Sequence, residues 1–378
     1  MKRKNIFWII GLTVIFVIII FAVTIMVSIS TDSKLNKIKG KTEIKYKYHV
    51  AFIKSSGNDE IWDAIYKGAK ANGEKDGIYV EDFGGELDGD YSRVDLLRMA
   101  IDSKVDGIIL EYDGSSAMQS LISEATKDRE DDIEKARKQN IDTSNYLQPI
   151  PIITIMTDAP DSGRTSFVGP SDNKIGEIYG KEVVKSLEKK KLKESLNVDF
   201  LVRNIDQGNE QTSSEESVVG VPNQLYYGLK SYVNSHSKKI VIDEPKILPS
   251  EDEFASVSLI VNMIENKKTR PDAMVCLNTF DTINTYLTVV DENAVGDVQI
   301  IGYYYSKEIL DKIDSGVIFS SVCIDANEIG KTSVSTIMEA FEWKSVSERI
   351  TTPVYVIDKD NVQEFKKKLL GEVKSDDE

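Results

Sequence analysis

The sequence predicts an α/β chain in which two doubly wound parallel-sheet units follow a single N-terminal membrane-spanning helix. Three observations point there. Ile6–Ile29 is apolar and uncharged, short apolar runs alternate with longer helical periods from Tyr48 onward, and the strand-like runs are too numerous for one sheet.

The N-terminal segment comes first. Lys2, Arg3 and Lys4 precede the apolar run. At ~1.5 Å per residue the run reaches about 36 Å, enough to span a hydrocarbon layer of about 30 Å with tilt. A cleaved secretory signal has an apolar region of only about 7–15 residues. The run is longer, so an uncleaved anchor is favoured over cleavage near Ser28 and Ser30. No cysteine directly follows it, the first in the sequence being Cys276, which excludes an anchor built on a processed N-terminal cysteine. Orientation is contested by two rules. Lys34, Lys37, Lys39, Lys41, Lys45 and Lys47 follow the run, and by counting, the positive-inside rule places the large domain in the cytoplasm. A short N-terminal tail, in contrast, usually stays inside and sends the following domain out.

Charge divides the chain. Residues 1–47 hold nine basic and two acidic side chains, which leaves −22 for the remainder against −15 for the whole. A body of that sign repels phosphate backbones and argues against a nucleic-acid partner. The linker lysines are the one stretch suited to lipid head groups, although a solvated tether reads better. Cys276 and Cys323 lie in apolar runs, AMVCL and SSVCI. They read as small buried hydrophobes, with a disulfide as the alternative outside the cell. His49 and His236 lack partners for a metal site or a triad, so no metal, cofactor or catalytic centre is expected.

The elements then follow in order. Strand-like runs occupy 50–54, 78–83, 106–112, 150–155, 198–203, 239–245, 273–278, 298–304, 317–324 and 353–357. Helical spacing fills the gaps, as in Ile61, Ile65 and Ala69, or Val94, Leu97 and Ile101. Three stretches break the rhythm: a charged insertion at 128–149, a polar segment at 207–217 and a solvated tail, GEVKSDDE. The segment MTDAPDSGRTSFVG, starting at Met156, places turn formers and polar side chains directly after the buried run Ile150–Ile155. In open parallel sheets that end of a strand is where ligands bind; an ordinary surface connection is the plain alternative.

The same loop carries a family resemblance. A DAPDS loop at Asp158–Ser162, a strand ending in Gly169, then Asp172-Asn173 and a helix with Gly176 resemble the type I periplasmic-binding-protein family, in particular its ribose, galactose and xylose-type sugar-binding members. Residues 54–77, 105–117, 275–287, 300–316 and 323–334 resemble further family segments in the same order. The resemblance covers about 48–358 and implies two α/β lobes joined by three crossing strands, closing on a small molecule. It implies an N-terminal lobe at 48–169 with 324–351 and a C-terminal lobe at 170–323 with 352–378, which follow the cytoplasmic tip and anchor at 1–30 and the Lys-rich linker at 31–47 read from the apolar run and the lysines.

Family members usually place an acidic residue before the DAPDS loop, an arginine before the glycine of the middle helix and an aspartate after the Ile-Gly strand. Here these positions are Met156, Leu225 and Tyr304, and the polar residue of the second crossover becomes Ile324, or Asp325 on a one-residue slip. Bidentate charged groups fix sugar hydroxyls in such clefts, so this pocket is expected to be real but altered. The candidate ligand residues are Asn58, Asp59, Trp62, Asp113, Met156, Asp158, Leu225, Asn278, Tyr304 and Asp325, with Asp281 nearby. Plain readings stand beside them: Trp62 in a helix core, Asn278 as a helix cap, Met156 packed against Leu225, and Asp281 held by a helix dipole.

Two function classes follow. One is a single-pass, membrane-anchored extracytoplasmic receptor for a sugar-like solute. Its partner is a sensor histidine kinase or an ABC permease, with a slight lean to sensing. The other is a binding-protein fold without a ligand that serves as a protein-interaction module. A LacI-like repressor is excluded by the acidic body and the lack of a helix-turn-helix before residue 48.

Overall fold

Val50–Ile53, Ile108–Leu110, Ile152–Ile155 and Ser320–Ile324 are buried over successive residues, which happens only when helices cover both faces of a parallel sheet. The computed structural model describes residues 46–55, 60–85, 91–128, 148–190, 194–203, 223–249, 252–343 and 345–376, with a few single positions between 87 and 139. The predicted anchor, most of the lysine linker, Asn58, Asp59, most of the 128–149 insertion and the 207–217 segment lie outside the described residues. No helix among the described residues is long and apolar enough to cross a membrane.

The first half comprises β1 (Tyr48–Ile53), α1 (Glu60–Asp76), β2 (Ile78–Asp82), α2 (Arg93–Asp102), β3 (Gly107–Glu111), α3 (Ser116–Thr126), β4 (Ile152–Ile155) and β5 (Ser166–Gly169). The chain then enters α4 (Asp172–Leu187), β6 (Leu196–Arg203), α5 (Asn223–His236), β7 (Ile240–Ile242), β8 (Lys246–Leu248), α6 (Glu253–Glu265), β9 (Ala273–Val275), α7 (Thr279–Asp291), β10 (Gln299–Tyr303), α8 (Lys307–Ser315) and β11 (Ser320–Ile324). It closes with α9 (Ala326–Trp343), β12 (Arg349–Thr351), β13 (Val354–Asp358) and α10 (Val362–Asp376).

Two sheets result, with orders β12-β5-β4-β3-β1-β2 and β13-β11-β10-β9-β6-β7, and β8 pairing with β6 off the second path. All pairs are parallel except β11 with β13. The two orders are the same pattern drawn twice: β1 and β2 correspond to β6 and β7, β3 to β9, β4 to β10, and β5 to β11. The chain crosses between the sheets after β5, after β11 and after β12. The sequence reading missed two strands. β12 has three residues with two of them exposed, and β8 has only Leu248 buried, so neither shows the apolar run that marked the others. The tail is helical through Asp376, since Phe365 and Leu369 pack into the second half's core.

Helices sandwich each sheet. α1 and α9 cover one face of the first sheet, α2 and α3 the other. In the second half, α4 and α5 lie on one face and α6, α7, α8 and α10 on the other. Each half also contains one helix pair in near-backbone contact. A Cβ on Gly330 of α9 would sit 1.9 Å from the Ile65 carbonyl oxygen, and one on Gly68 of α1 2.4 Å from that of Asn327. The second half repeats this, with 2.1 Å from Gly176 of α4 to the Leu225 oxygen and 2.6 Å from Gly228 of α5 to that of Asn173.

Cys276 and Cys323 are free, buried thiols, so the disulfide alternative is not realised. Burial pushes the Cys276 thiol up to about 12, and that of Cys323 higher still, which keeps both in the unreactive protonated form. Asp199 on β6 is also buried, and burial raises its carboxyl above the usual range; Lys246, 3.7 Å away, opposes the shift and Asp243 adds to it. A raised folded-state pKa means that the ionised form costs stability above that pKa, a cost removed as falling pH protonates the group. Asp199→Asn is therefore expected to raise the thermal midpoint at pH 8, with the gain shrinking towards pH 4. A gain that grew on acidification would contradict the assignment.

Candidate functional site

The carboxyl ends of both sets of strands carry the polar and aromatic residues singled out above. Helices α1, α4, α7, α8 and α9 begin close after those ends, so the positive ends of their dipoles lie there. The glycine crossings lie near the starts of α4, α5 and α9, where they fix the positions of these helix ends.

The first-half loop after β4 is built as a staple. Asp158 receives both Nε and Nη2 of Arg164, the latter at 3.0 Å, and also accepts from Arg349. Arg164 Nη1 donates to the Glu348 carbonyl at 2.9 Å, and the Arg349 guanidinium lies 4.6 Å from the centre of the Phe167 ring. The Ser162 hydroxyl donates to the Ala159 carbonyl at 2.7 Å, and Gly163 turns with φ 75°. This arrangement ties the DAPDS loop to the segment leading into β12, so Asp158 spends its oxygens on arginine. Asp172 at the start of α4 is partly desolvated, which raises its carboxyl; Arg349 opposes the shift and Asp158 adds to it.

Other candidates serve as local caps. Asp113 accepts from the Ser115 N–H at 2.8 Å, Asn278 from the Asp281 N–H at 2.7 Å and Asp325 from the Glu328 N–H at 3.0 Å. Leu225 packs in the core between α4, α5 and the second sheet, whereas Met156 packs in the α1 and α9 core. These are different clusters, so the alternative of a Met156–Leu225 pair is not what is found.

Three candidates do converge. Trp62, Met156 and Tyr304 share one apolar cluster although they come from α1, the end of β4 and the end of β10. Trp62 is 9% exposed and Tyr304 5%, so side chains of both halves meet there with little water between them. Met156 and Tyr304 occupy equivalent places in the two sheets and share a left-handed backbone, φ 64° and 58°. That conformation costs a non-glycine residue on the order of 1–3 kcal/mol and persists where packing over-determines it. Burial raises the Tyr304 hydroxyl far above its ordinary value, with neighbouring Tyr305, Cys323 and Glu60 among the further causes. It is a neutral donor at any physiological pH.

Sequence reasoning missed Arg203. It ends β6 and pairs with Asp281, Nη2 to Oδ1 at 2.8 Å and Nε to both oxygens at 3.2 Å, while its guanidinium lies 4.5 Å from the centre of the Phe280 ring. Asp281 is fully buried and also receives the Asn278 side-chain amide. Glu111 was missed as well: it accepts from the Ser55 N–H at 2.6 Å and pairs with Arg93 at 2.7 Å, which fixes the exit of β1. The available signal in both cases was a charged residue at the carboxyl end of an apolar strand, in VDFLVR and GIILE.

Beside the aromatic cluster lies a groove of about 670 Å³ that Tyr304 and Asp325 help to line, with α1 on one side and α8 and α10 on the other. Among the described residues no group of three or more His, Cys, Asp and Glu side chains is placed to hold a metal ion.

A family model described as a periplasmic binding protein domain matches residues 148–344. Comparison with curated proteins finds no match. Among solved structures, the chain is similar to GanP, a glucose-galactose binding protein from Geobacillus stearothermophilus, at 22% identity over 83% of this chain and 98% of that one, with a TM-score of 0.64. It is similar to the XylFII–LytSN complex at 23% identity, covering 83% and 98%, with a TM-score of 0.59. An ABC transporter solute binding protein from Agrobacterium vitis with bound D-fucose matches at 18% identity, 83% and 96%, with a TM-score of 0.62. At these identities the likeness is one of fold.

Proposed function

This chain belongs to the periplasmic binding protein domain family, and from that premise we propose that it is a single-pass, membrane-anchored extracytoplasmic receptor that closes on a small, carbohydrate-like solute. Its work is binding, not catalysis. The lobes are 48–169 with 324–351 and 170–323 with 352–378, and the three chain crossings act as the hinge. The anchor is the uncharged run at Ile6–Ile29. The observation that carries the reading is the meeting of Trp62, Met156 and Tyr304 from both halves in one cluster; the polar group of Arg203, Asn278 and Asp281 stands at the carboxyl ends of β6 and β9. Apolar and aromatic walls with a few convergent polar groups are the usual make-up of a small-molecule site. Asn58, Asp59, Asp113, Asp158, Leu225 and Asp325 complete the candidate set.

Two partners suit a receptor of this kind, a sensor histidine kinase and an ABC permease. The XylFII–LytSN complex, a similar fold assembled with a second protein, supports a protein partner for this chain. A second reading, an interaction module without solute, is favoured by one specific observation: Asp158 and Asp281 are already taken by arginines.

A thermal-shift screen of the full-length protein against pentoses, hexoses, polyols and nucleosides separates the two. A solute at 100 times its Kd stabilises by about 2.7 kcal/mol, a midpoint rise of roughly 5 °C. Loss of that rise in Trp62→Ala and Tyr304→Ala is the expected result. Silence across the panel from folded protein favours the interaction module.

A further inference from the structure

We propose that the groove between α1 and α8, which shares Tyr304 and Asp325 with the candidate cleft but not its polar group at Arg203, Asn278 and Asp281, is a second binding site for a small zwitterion carrying a flat ring, of the aromatic amino-acid class. Its volume, about 670 Å³, lies in the range of roughly 300–1,000 Å³ that holds small ligands. Neither Trp62 nor Asn278 lines it.

Its two walls have opposite charge. The wall from α1 and the start of α9 presents Glu60, Asp63 and Asp325 against one lining lysine, Lys67, with Lys54 3.9 Å from Asp63 and Asp325 also accepting from the Glu328 N–H. The facing wall, from α8 and α10, presents Lys307, Lys366 and Lys368 against one carboxylate, Asp311. Asp311 and Asp314 hold Lys366 at 2.7 and 2.8 Å, so Lys307 and Lys368 set the sign that this wall shows to a ligand. Lys307 is the first residue of α8, where the helix dipole adds to its positive charge.

Between the walls lie Tyr304, Tyr305 and Tyr355. Tyr304 and Tyr305 stack at 4.9 Å, and Tyr355 stacks on Phe365 at 5.3 Å, so their rings are held in place before any ligand arrives. Burial keeps the Tyr304 and Tyr355 hydroxyls neutral. Held rings offer a ring-bearing solute stacking at low entropic cost.

These features select against the simpler ligand classes. An ion of either sign gains on one wall and is repelled by the other. A neutral sugar hydrogen-bonds to both walls but leaves their charges uncompensated. A dipolar molecule turned with its ammonium towards Glu60 and Asp63 and its carboxylate towards Lys307 and Lys368 satisfies both walls and lays its ring on the half-buried Tyr305 and Tyr355, behind which Tyr304 is stacked. Because the walls come from different halves of the molecule, a bound solute bridges them.

The test is calorimetric titration of the full-length protein with L-phenylalanine, L-tyrosine and L-tryptophan, alongside phenethylamine and 3-phenylpropionate, each of which carries one of the two charges. At least one amino acid is expected to bind with Kd below about 1 mM, and both single-charge analogues at least about tenfold more weakly, a difference of about 1.4 kcal/mol. Lys307→Glu and Asp63→Lys, both at exposed positions, should each weaken binding by about tenfold while the fold is retained by circular dichroism. Asn278→Ala should leave it unchanged. No binding by any of the three amino acids, or equal binding by either analogue, overturns the proposal. Loss of binding in Asn278→Ala overturns it too, because the solute would then sit in the cleft. Since Asn278→Ala acts on the cleft and Lys307→Glu on the groove, failure of this site and failure of the receptor reading are distinguishable.

Discussion

Gly330→Ala is expected to destabilise the protein by about 3 kcal/mol or more, at the upper end for overpacking, with a fall in the thermal midpoint of roughly 6 °C. The added methyl would stand 1.9 Å from the Ile65 carbonyl oxygen and 2.7 Å from the Ala69 backbone nitrogen. Both are backbone atoms of α1, so no side chain can swing aside and the helices must separate. Gly176→Ala should behave alike, at 2.1 Å from the Leu225 oxygen. Gly316→Ala is the comparison: nothing lies within 4 Å, and the cost is only that of a left-handed backbone at φ 80°, about 1–2 kcal/mol. Urea denaturation of the three variants checks the order. Equal losses would mean that close helix approach is not what requires glycine at 330 and 176. A functional consequence follows from position, because these crossings set where α4 and α9 begin, at the carboxyl edge of the sheets. Solute affinity should fall with stability in Gly330→Ala, but not in Gly316→Ala.

Arg203→Met is expected to cost about 3–5 kcal/mol, the usual penalty for stranding one member of a buried ion pair. Asp281 is fully buried and takes three hydrogen bonds from Arg203, so removing the guanidinium leaves a carboxylate with neither water nor a cation. The Asn278 amide that remains comes from its own helix cap, where the Asp281 N–H donates to Asn278 Oδ1 and not to the carboxylate. Adding Asp281→Asn should restore most of the loss, because both charges are then gone and the cap remains. A double variant as unstable as the single one would show that the guanidinium matters through its packing on Phe280 instead. The pair lies at the end of β6, beside the proposed cleft, so the restored double variant also reports whether solute binding needs these charges.

How far the site was legible depended on what kind of signal each residue left. Apolar runs such as IPIITI and VQIIGYY marked the central strands because these are covered on both faces. β12 and β8 left no such mark, since edge strands bury little. An internal duplication was present in the text as Asn-Lys-Ile-Gly at 173–176 and Asn-Glu-Ile-Gly at 327–330. It passed unread because its spacing matches no repeat period and its meaning lies in helix contact. Asp113, Asp158, Asn278 and Asp325 were legible as polar residues at strand ends. Whether such a residue faces a ligand or caps its own loop depends on partners far along the chain, as Arg349 is from Asp158.

The sequence by itself determined the local and periodic features of this protein: the alternation of strands and helices, the division into two sheets, the acidic body and the turn chemistry after β4. These follow from side-chain size, polarity and spacing within a few residues. Only the tertiary structure decided which residues meet. It brought Met156 and Tyr304 to equivalent left-handed positions in two sheets and joined them with Trp62. It also gave Asp281 to Arg203 and set two oppositely charged walls across a groove lined with tyrosine. Such pairings depend on the three-dimensional path of the chain between distant residues, and no local pattern records that path.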